Sequence, residues 1–125
     1  MEVGVTVLGG GSRGNALLLQ ADGKGILIDV GFSRKEILAR LRSIDVDPGI
    51  IKMILITHEH GDHVCGCRVL SSHLDVPVCV SHRTYDFIRG TKGEAWPNVK
   101  LFGVGSSFEF EGFSISPFSV QHDAI

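Results

Sequence analysis

Cysteine is scarce in this chain, and the marks of export are missing. Cys65, Cys67 and Cys79 are three in 125 residues, an odd number that builds no disulfide framework and fits a reducing compartment. No apolar signal-type segment stands at the N-terminus, and no apolar run nears the roughly 18 residues of a bilayer span. Export and membrane insertion are therefore not expected, and a cytoplasmic location is. Neither sign of charge dominates: 12 basic against 14 acidic residues give a net charge of -2. That supplies no general electrostatic footprint for nucleic acid, although it leaves room for a local basic patch. Repeats, linkers and low-complexity tracts are absent as well. With 43% hydrophobic and 21% charged residues, disorder and fibrous architecture are excluded, and the length suits one small domain.

Glycine is plentiful, at 16 residues, and it punctuates short apolar runs. Val3 to Leu8 reads as a strand, and "GGGSRGN" (Gly9 to Asn15) as a loop. "ALLLQ" and "GILIDVG" flank "ADGKG", the pattern of a hairpin with an Asp-Gly turn. Ser33 and Glu36 have capping-box spacing ahead of a helix with Ile37, Leu38, Leu41 and Ile44 on one face. The cations of that segment fall on the other face and are read as solvated. Pro48 is expected to stop the helix. "IIKMILIT" (Ile50 to Thr57) is a largely apolar run of strand length, expected to be buried on both faces. A short helix over Val64 to His73, a strand over Val76 to Val80, and a helix capped by Ser81 and stopped at Gly90 follow. The tail forms a hairpin turning at Glu111-Gly112, with Phe108 and Phe110 answered by Phe113, Ile115 and Phe118. Strands mixed with helices make this an α/β or α+β protein.

The chemistry concentrates directly after the apolar run, in His58-Glu59-His60-Gly61-Asp62-His63. Residues leaving the carboxyl end of a buried strand stand where α/β sheets hold their ligands. In an extended loop His58 and His60 point the same way. Gly61 then permits a sharp turn that aims Asp62 and His63 at a second point. Two ligands for each of two metal ions is the economical reading, because a packed cluster of imidazoles is costly to desolvate and repels itself when protonated. Zinc is the default for such donors, with manganese or iron as alternatives.

"THEHGDH" resembles the H-x-H-x-D-H signature of the metallo-β-lactamase-fold hydrolases at every defined position. "ILIDVG" is similar to that family's strand ending in Asp-x-Gly, and "SVQHDA" to the segment bearing its next histidine ligand. "GGGSRGNALLL" resembles the opening of a small single-domain bacterial subgroup that includes DNA exonucleases. The resemblance implies an αββα sandwich, of which residues 1–125 would be the N-terminal half: one mixed sheet plus helices. It implies that His58, His60 and His122 hold a first metal ion and Asp62 and His63 a second. Asp62 would also orient the attacking water, and Asp29 would support the metal loop without ligating. Glu59 is not a ligand in that family.

The family's fold is longer than this chain, which ends at Ile125, just past His122. The carboxylate that bridges the metals and the last histidine of the second site are therefore expected from a C-terminal half or another chain. The function implied is water-dependent hydrolysis of an ester-like bond, with a phosphodiester favoured. Thioester or lactam hydrolysis is one alternative. A non-catalytic metal-binding half-domain that needs a partner chain is another. Substrates of either size, small molecule or nucleic acid, fit these readings. "GGGSRGN" lacks the Lys of a P-loop, and its Gly9-x-Gly11-x-x-Gly14 spacing precedes a strand where a dinucleotide site needs a helix. It is read as a substrate loop offering Ser12, Arg13 and Asn15, with Arg13 suited to a phosphodiester. Cys65, Cys67 and Cys79 are read as small buried residues, and His73 and His82 as surface or capping residues.

Overall fold

The computed structural model describes residues 3–10, 14–57, 66–92, 96, 98–103, 105 and 107–116. Its elements run β1 (Val3–Gly9), β2 (Ala16–Ala21), β3 (Lys24–Val30), α1 (Arg34–Ser43), a 3-10 turn (Pro48–Ile50), β4 (Ile51–Leu55), α2 (Cys67–Leu74), β5 (Val78–Ser81), α3 (His82–Lys92), β6 (Val99–Phe102), β7 (Phe108–Phe110) and β8 (Phe113–Ile115). The first six strands form one sheet in sequential order. β1, β2 and β3 pair antiparallel, and β3 through β6 pair parallel. Parallel strands need covered faces, and the central parallel strands β3, β4 and β5 have them.

Alternation along the strands divides the apolar residues between the two faces. Leu18, Leu27, Ile54, Val78 and Val80 point to the helical side, where they pack with Ile37 and Leu41 of α1, Leu70 of α2 and Ile88 of α3. Ile26, Met53 and Cys79 point to the other side and pack under Phe108, Phe110, Phe113 and Ile115 of the β7–β8 hairpin. β4 is thus buried on both faces, as its apolar run, interrupted only by Lys52, predicts. Each fully buried Leu or Ile contributes roughly 1.5–3 kcal/mol, so the two-sided centre of the sheet is its most stable part. The hairpin is tied across the sheet by Lys24 to Glu111 at 3.2 Å and by Phe102 against Phe108. Toward β1 that face opens: Val5 and Val7 stand opposite Leu19 and Leu17 and are 61% and 67% exposed.

Local signals explain the turns. Asp22 and Gly23 both take positive φ, the turn that matches strand twist in a two-residue hairpin, and Glu111 and Gly112 repeat the arrangement. Ser33 caps α1 by accepting from the Glu36 amide at 3.2 Å. The reciprocal half of a capping box does not form, because the Glu36 carboxylate accepts instead from Arg40 Nε at 2.8 Å. α1 ends at Ser43, before the proline, because Asp45 adopts a left-handed φ of 58°. Ile44 is therefore at the cap and 40% exposed, not on the buried face. α3 is capped by Ser81, whose Oγ accepts from the Thr84 amide at 3.1 Å, and it runs through Gly90 to Lys92.

Candidate functional site

β3 and β4 lie side by side and parallel, so their carboxyl ends open at the same edge of the sheet. There the chain of β3 bends. Asp29 is 7% exposed and sits at φ 61°, a conformation that Asp and Asn tolerate better than other side chains. Both of its carboxylate oxygens are engaged by one residue beyond β4. Oδ1 accepts from the Thr57 amide at 2.8 Å, and Oδ2 accepts from the Thr57 hydroxyl at 2.6 Å. Hydrogen bonds to an ionised acceptor are worth roughly 1.5–3 kcal/mol each, so the pair is a firm clamp. Thr57 is the residue immediately before His58.

The three residues after Asp29 hold three further points. The Val30 carbonyl accepts from the Gly66 amide at 3.3 Å, and the Gly31 amide donates to the Asn15 carbonyl at 2.9 Å. Phe32 works twice. Its carbonyl lies so close to Gly66 that any side chain there would collide with it. Its ring occupies the space a side chain would need at Gly9 and Gly14. A Cβ on Gly14 would also come within 2.8 Å of the Gly31 carbonyl, so both glycines are required by close approach. The strip from Asp29 to Phe32 therefore fastens the residues on either side of 58–65, and the residues on either side of 11–13.

The Phe32 ring is itself braced. The Arg40 guanidinium lies 4.2 Å from its centroid, a cation–π arrangement, and Arg40 Nη1 donates to the Leu8 carbonyl. With Nε on Glu36, two donors of the guanidinium fork and its face are used. Arg34, Lys35 and Arg42 are exposed, as expected for solvated cations, but Arg40 corrects that reading, since it is half-buried and joins α1 to the end of β1.

Of the residues singled out from sequence, Asp29 and Asn15 are described, and the structure brings them to one strip. His58, His60, Asp62, His63, His122, Ser12 and Arg13 lie outside the described residues, as does Cys65. Among the described residues no three His, Cys, Asp or Glu side chains gather as metal donors. Cys67 and Cys79 are fully buried. Burial pushes the Cys67 thiol far up, with the Asp29 carboxylate adding to the effect. Burial likewise pushes the Cys79 thiol up to about 11, against a lowering by Lys100. His73 and His82 are exposed. A surface cavity of about 410 Å³ bordered by Leu38, Arg42, Asp45, Asp47 and His73 sits beside the residues that precede β4, at the opposite end of the sheet. Thr57, Phe32, Arg40 and Gly66 were not legible as site residues, because their partners are tertiary. The one available signal was glycine at position 66, between two cysteines where nothing local demands it.

Residues 9–121 match the metallo-beta-lactamase superfamily. The chain belongs to that superfamily. Exodeoxyribonuclease YycJ of Bacillus anthracis is 34% identical over 125 residues, which is 99% of this chain and 47% of the relative. Exodeoxyribonuclease WalJ of Streptococcus pneumoniae is 33% identical over 123 residues, 96% of this chain and 46% of the relative. The chain spans about half the length of the curated relatives it matches. A crystallised B3 metallo-beta-lactamase with an active-site glutamic acid has the same arrangement at a TM-score of 0.71 and 25% identity, covering 90% of this chain and 47% of that one. The fold is that of the metallo-β-lactamase superfamily over the matched portion: a mixed sheet with helices on one face and the β7–β8 hairpin on the other. Among the described residues no helix is long and apolar enough to cross a membrane.

Proposed function

We propose that this chain forms the metal-holding part of a hydrolase that cleaves phosphodiester bonds in nucleic acid. The observation that carries the reading is the clamp of Asp29 on Thr57 together with the seat of Gly66 on Val30 and Phe32. Thr57 and Gly66, the described residues that flank the histidine stretch in sequence, are thereby fixed at the carboxyl edge of two buried parallel strands. The donor set fits divalent metal: residues 58–63 bring three imidazoles and the Asp62 carboxylate, and Asp29 braces the start of the stretch through its two hydrogen bonds to Thr57. A divalent metal held there lowers the pKa of water toward neutrality, with zinc preferred by imidazole donors and manganese or iron as alternatives.

The chain's own residues divide the remaining tasks. His58, His60 and His122 would hold a first ion, and Asp62 and His63 would contribute to a second. Asp62 also orients the attacking water and accepts or returns its proton. Asn15, with Ser12 and Arg13, borders the substrate, and the Arg13 guanidinium suits a phosphodiester oxygen pair. The phosphodiester is preferred over a lactam or thioester because the exodeoxyribonucleases align with nearly the whole chain at 33–34% identity, above the 25% of the β-lactamase.

The test is release of nucleotides from end-labelled DNA by the protein loaded with Mn²⁺ or Zn²⁺. Activity is expected to vanish in His58→Ala and in Asp62→Asn. Cleavage that persists in His58→Ala would remove the reading.

A further inference from the structure

We infer that Phe32, braced by Arg40, is a positioning residue that fixes Gly9, Gly14 and Gly66 relative to one another, and through them the affinity for substrate. The inference rests on the hydrolase reading above and adds residues that neither the motif nor the resemblance assigns.

Three observations converge on one side chain. The Phe32 ring fills the place of a Cβ at both Gly9 and Gly14, so it spaces the two ends of the loop. The Phe32 carbonyl abuts Gly66, the first described residue after the histidine stretch. The Arg40 guanidinium lies 4.2 Å from the ring centroid and donates to the Leu8 carbonyl, one residue before Gly9. A shift of the ring is thus felt at Gly9, Gly14 and Gly66 together. Close-packed interiors transmit such shifts instead of absorbing them.

Arg40 is suited to bracing by its planar fork. Nε is held by Glu36 at 2.8 Å and Nη1 by the Leu8 carbonyl, which leaves the guanidinium plane to face the ring. A lysine keeps the charge but loses the plane and one of the two directed donors. Neither Phe32 nor Arg40 is placed among the metal donors, so metal content and substrate affinity are separable readouts.

The experiment compares the metal-loaded wild type with Phe32→Ala, Phe32→Leu, Arg40→Lys and the double variant Phe32→Ala/Gly9→Ala. KM and kcat are measured on single-stranded DNA, bound metal by mass spectrometry, and amide hydrogen exchange along the chain. Phe32→Ala is expected to raise KM by about tenfold, with kcat changed by less than about twofold, because a misplaced binding element weakens association without touching the reacting groups. Exchange should quicken at residues 9–10, 14–15 and 66 together and stay unchanged at the Asp22–Gly23 turn. Arg40→Lys should shift KM in the same direction by less. Gly9→Ala should restore part of the loss in the Phe32→Ala background, where its methyl enters vacated space, yet be harmful alone; that non-additivity reports direct contact. If Phe32→Ala does not fold, Phe32→Leu carries the same comparison. A KM unchanged in the folded variants, or exchange that rises at the loop but not at Gly66, overturns the inference. A wild type that binds metal but leaves DNA intact counts against the phosphodiester reading instead, and exchange and the Gly9–Phe32 coupling then decide the inference.

Discussion

Asp29 and Thr57, separated by 28 positions, are joined by two hydrogen bonds that use both oxygens of one carboxylate. Asp29 is the penultimate residue of β3, and Thr57 is the second residue past β4. Their pairing closes the carboxyl edge of the parallel sheet at the point where the histidine stretch begins. A backbone amide and a hydroxyl of the same residue fix its direction as well as its position.

Removing the carboxylate should be expensive. In Asp29→Ala the Thr57 amide and hydroxyl lose their shared acceptor, and alanine inherits a left-handed backbone. We expect a loss of about 3 kcal/mol, combining unsatisfied donors with backbone strain. Asp29→Asn tolerates the same φ and keeps one acceptor, so it should lose less. Urea unfolding of both variants measures the difference, and a smaller loss for alanine than for asparagine would contradict the clamp.

From the other side, Thr57→Val keeps shape and removes only the hydroxyl. One oxygen of Asp29 then lacks its 2.6 Å partner. A cost of about 1–2 kcal/mol is expected, and Thr57→Ser should recover most of it. Metal affinity should fall in the valine variant and return in the serine variant, as read by competition with a chromophoric chelator.

Gly66→Ala tests the far end of the stretch. The added methyl would meet the Phe32 carbonyl, which is backbone and cannot swing away. Local displacement of α2 against β3 is expected, with a cost above about 2 kcal/mol. A variant as stable as wild type would show that this approach is not needed.

The buried thiols give a pH dependence with a definite sign. The Cys79 thiol is pushed from an ordinary 9.0 up to about 11, so folding favours its protonated form. The associated stability is complete below pH 9 and is lost as pH rises toward 11. The same elevation makes Cys79 slow to alkylate near neutral pH, since the thiolate is the nucleophile. Iodoacetamide at pH 7.5 should leave Cys67 and Cys79 unlabelled in the native protein and label both in urea, as read by peptide mass spectrometry. Cys79→Ala should flatten the stability profile between pH 9 and 11.

The elements were legible wherever a local rule acts alone. Asp22-Gly23 and Glu111-Gly112 announced their turns, Ser33 and Ser81 their caps, and Ile51–Leu55 its two-sided burial. Ile44 misled, because the helix was ended by the left-handed Asp45 before Pro48 had any say. Gly90 misled in the opposite direction, being carried inside α3. Arg40 was read as a solvated cation because its apolar partner Phe32 and its acceptor Leu8 precede it by eight and 32 positions, outside the reach of helical periodicity. Of the candidate site, Asp29 was named by motif, while Thr57, Phe32 and Gly66 acquire their roles only when β3 and β4 lie side by side. The proposed ligands His58, His60, Asp62, His63 and His122 lie outside the described residues, so their assignment rests on the motif and on where Thr57 and Gly66 are held.

Zinc-loaded crystals, with anomalous scattering recorded at the zinc edge, give the most direct test of the central claim. A peak bonded to the imidazoles of His58 and His60 at roughly 2.0–2.1 Å, with Asp29 still on Thr57, is the expected result. Zinc found elsewhere, with those two rings turned to solvent, would contradict it.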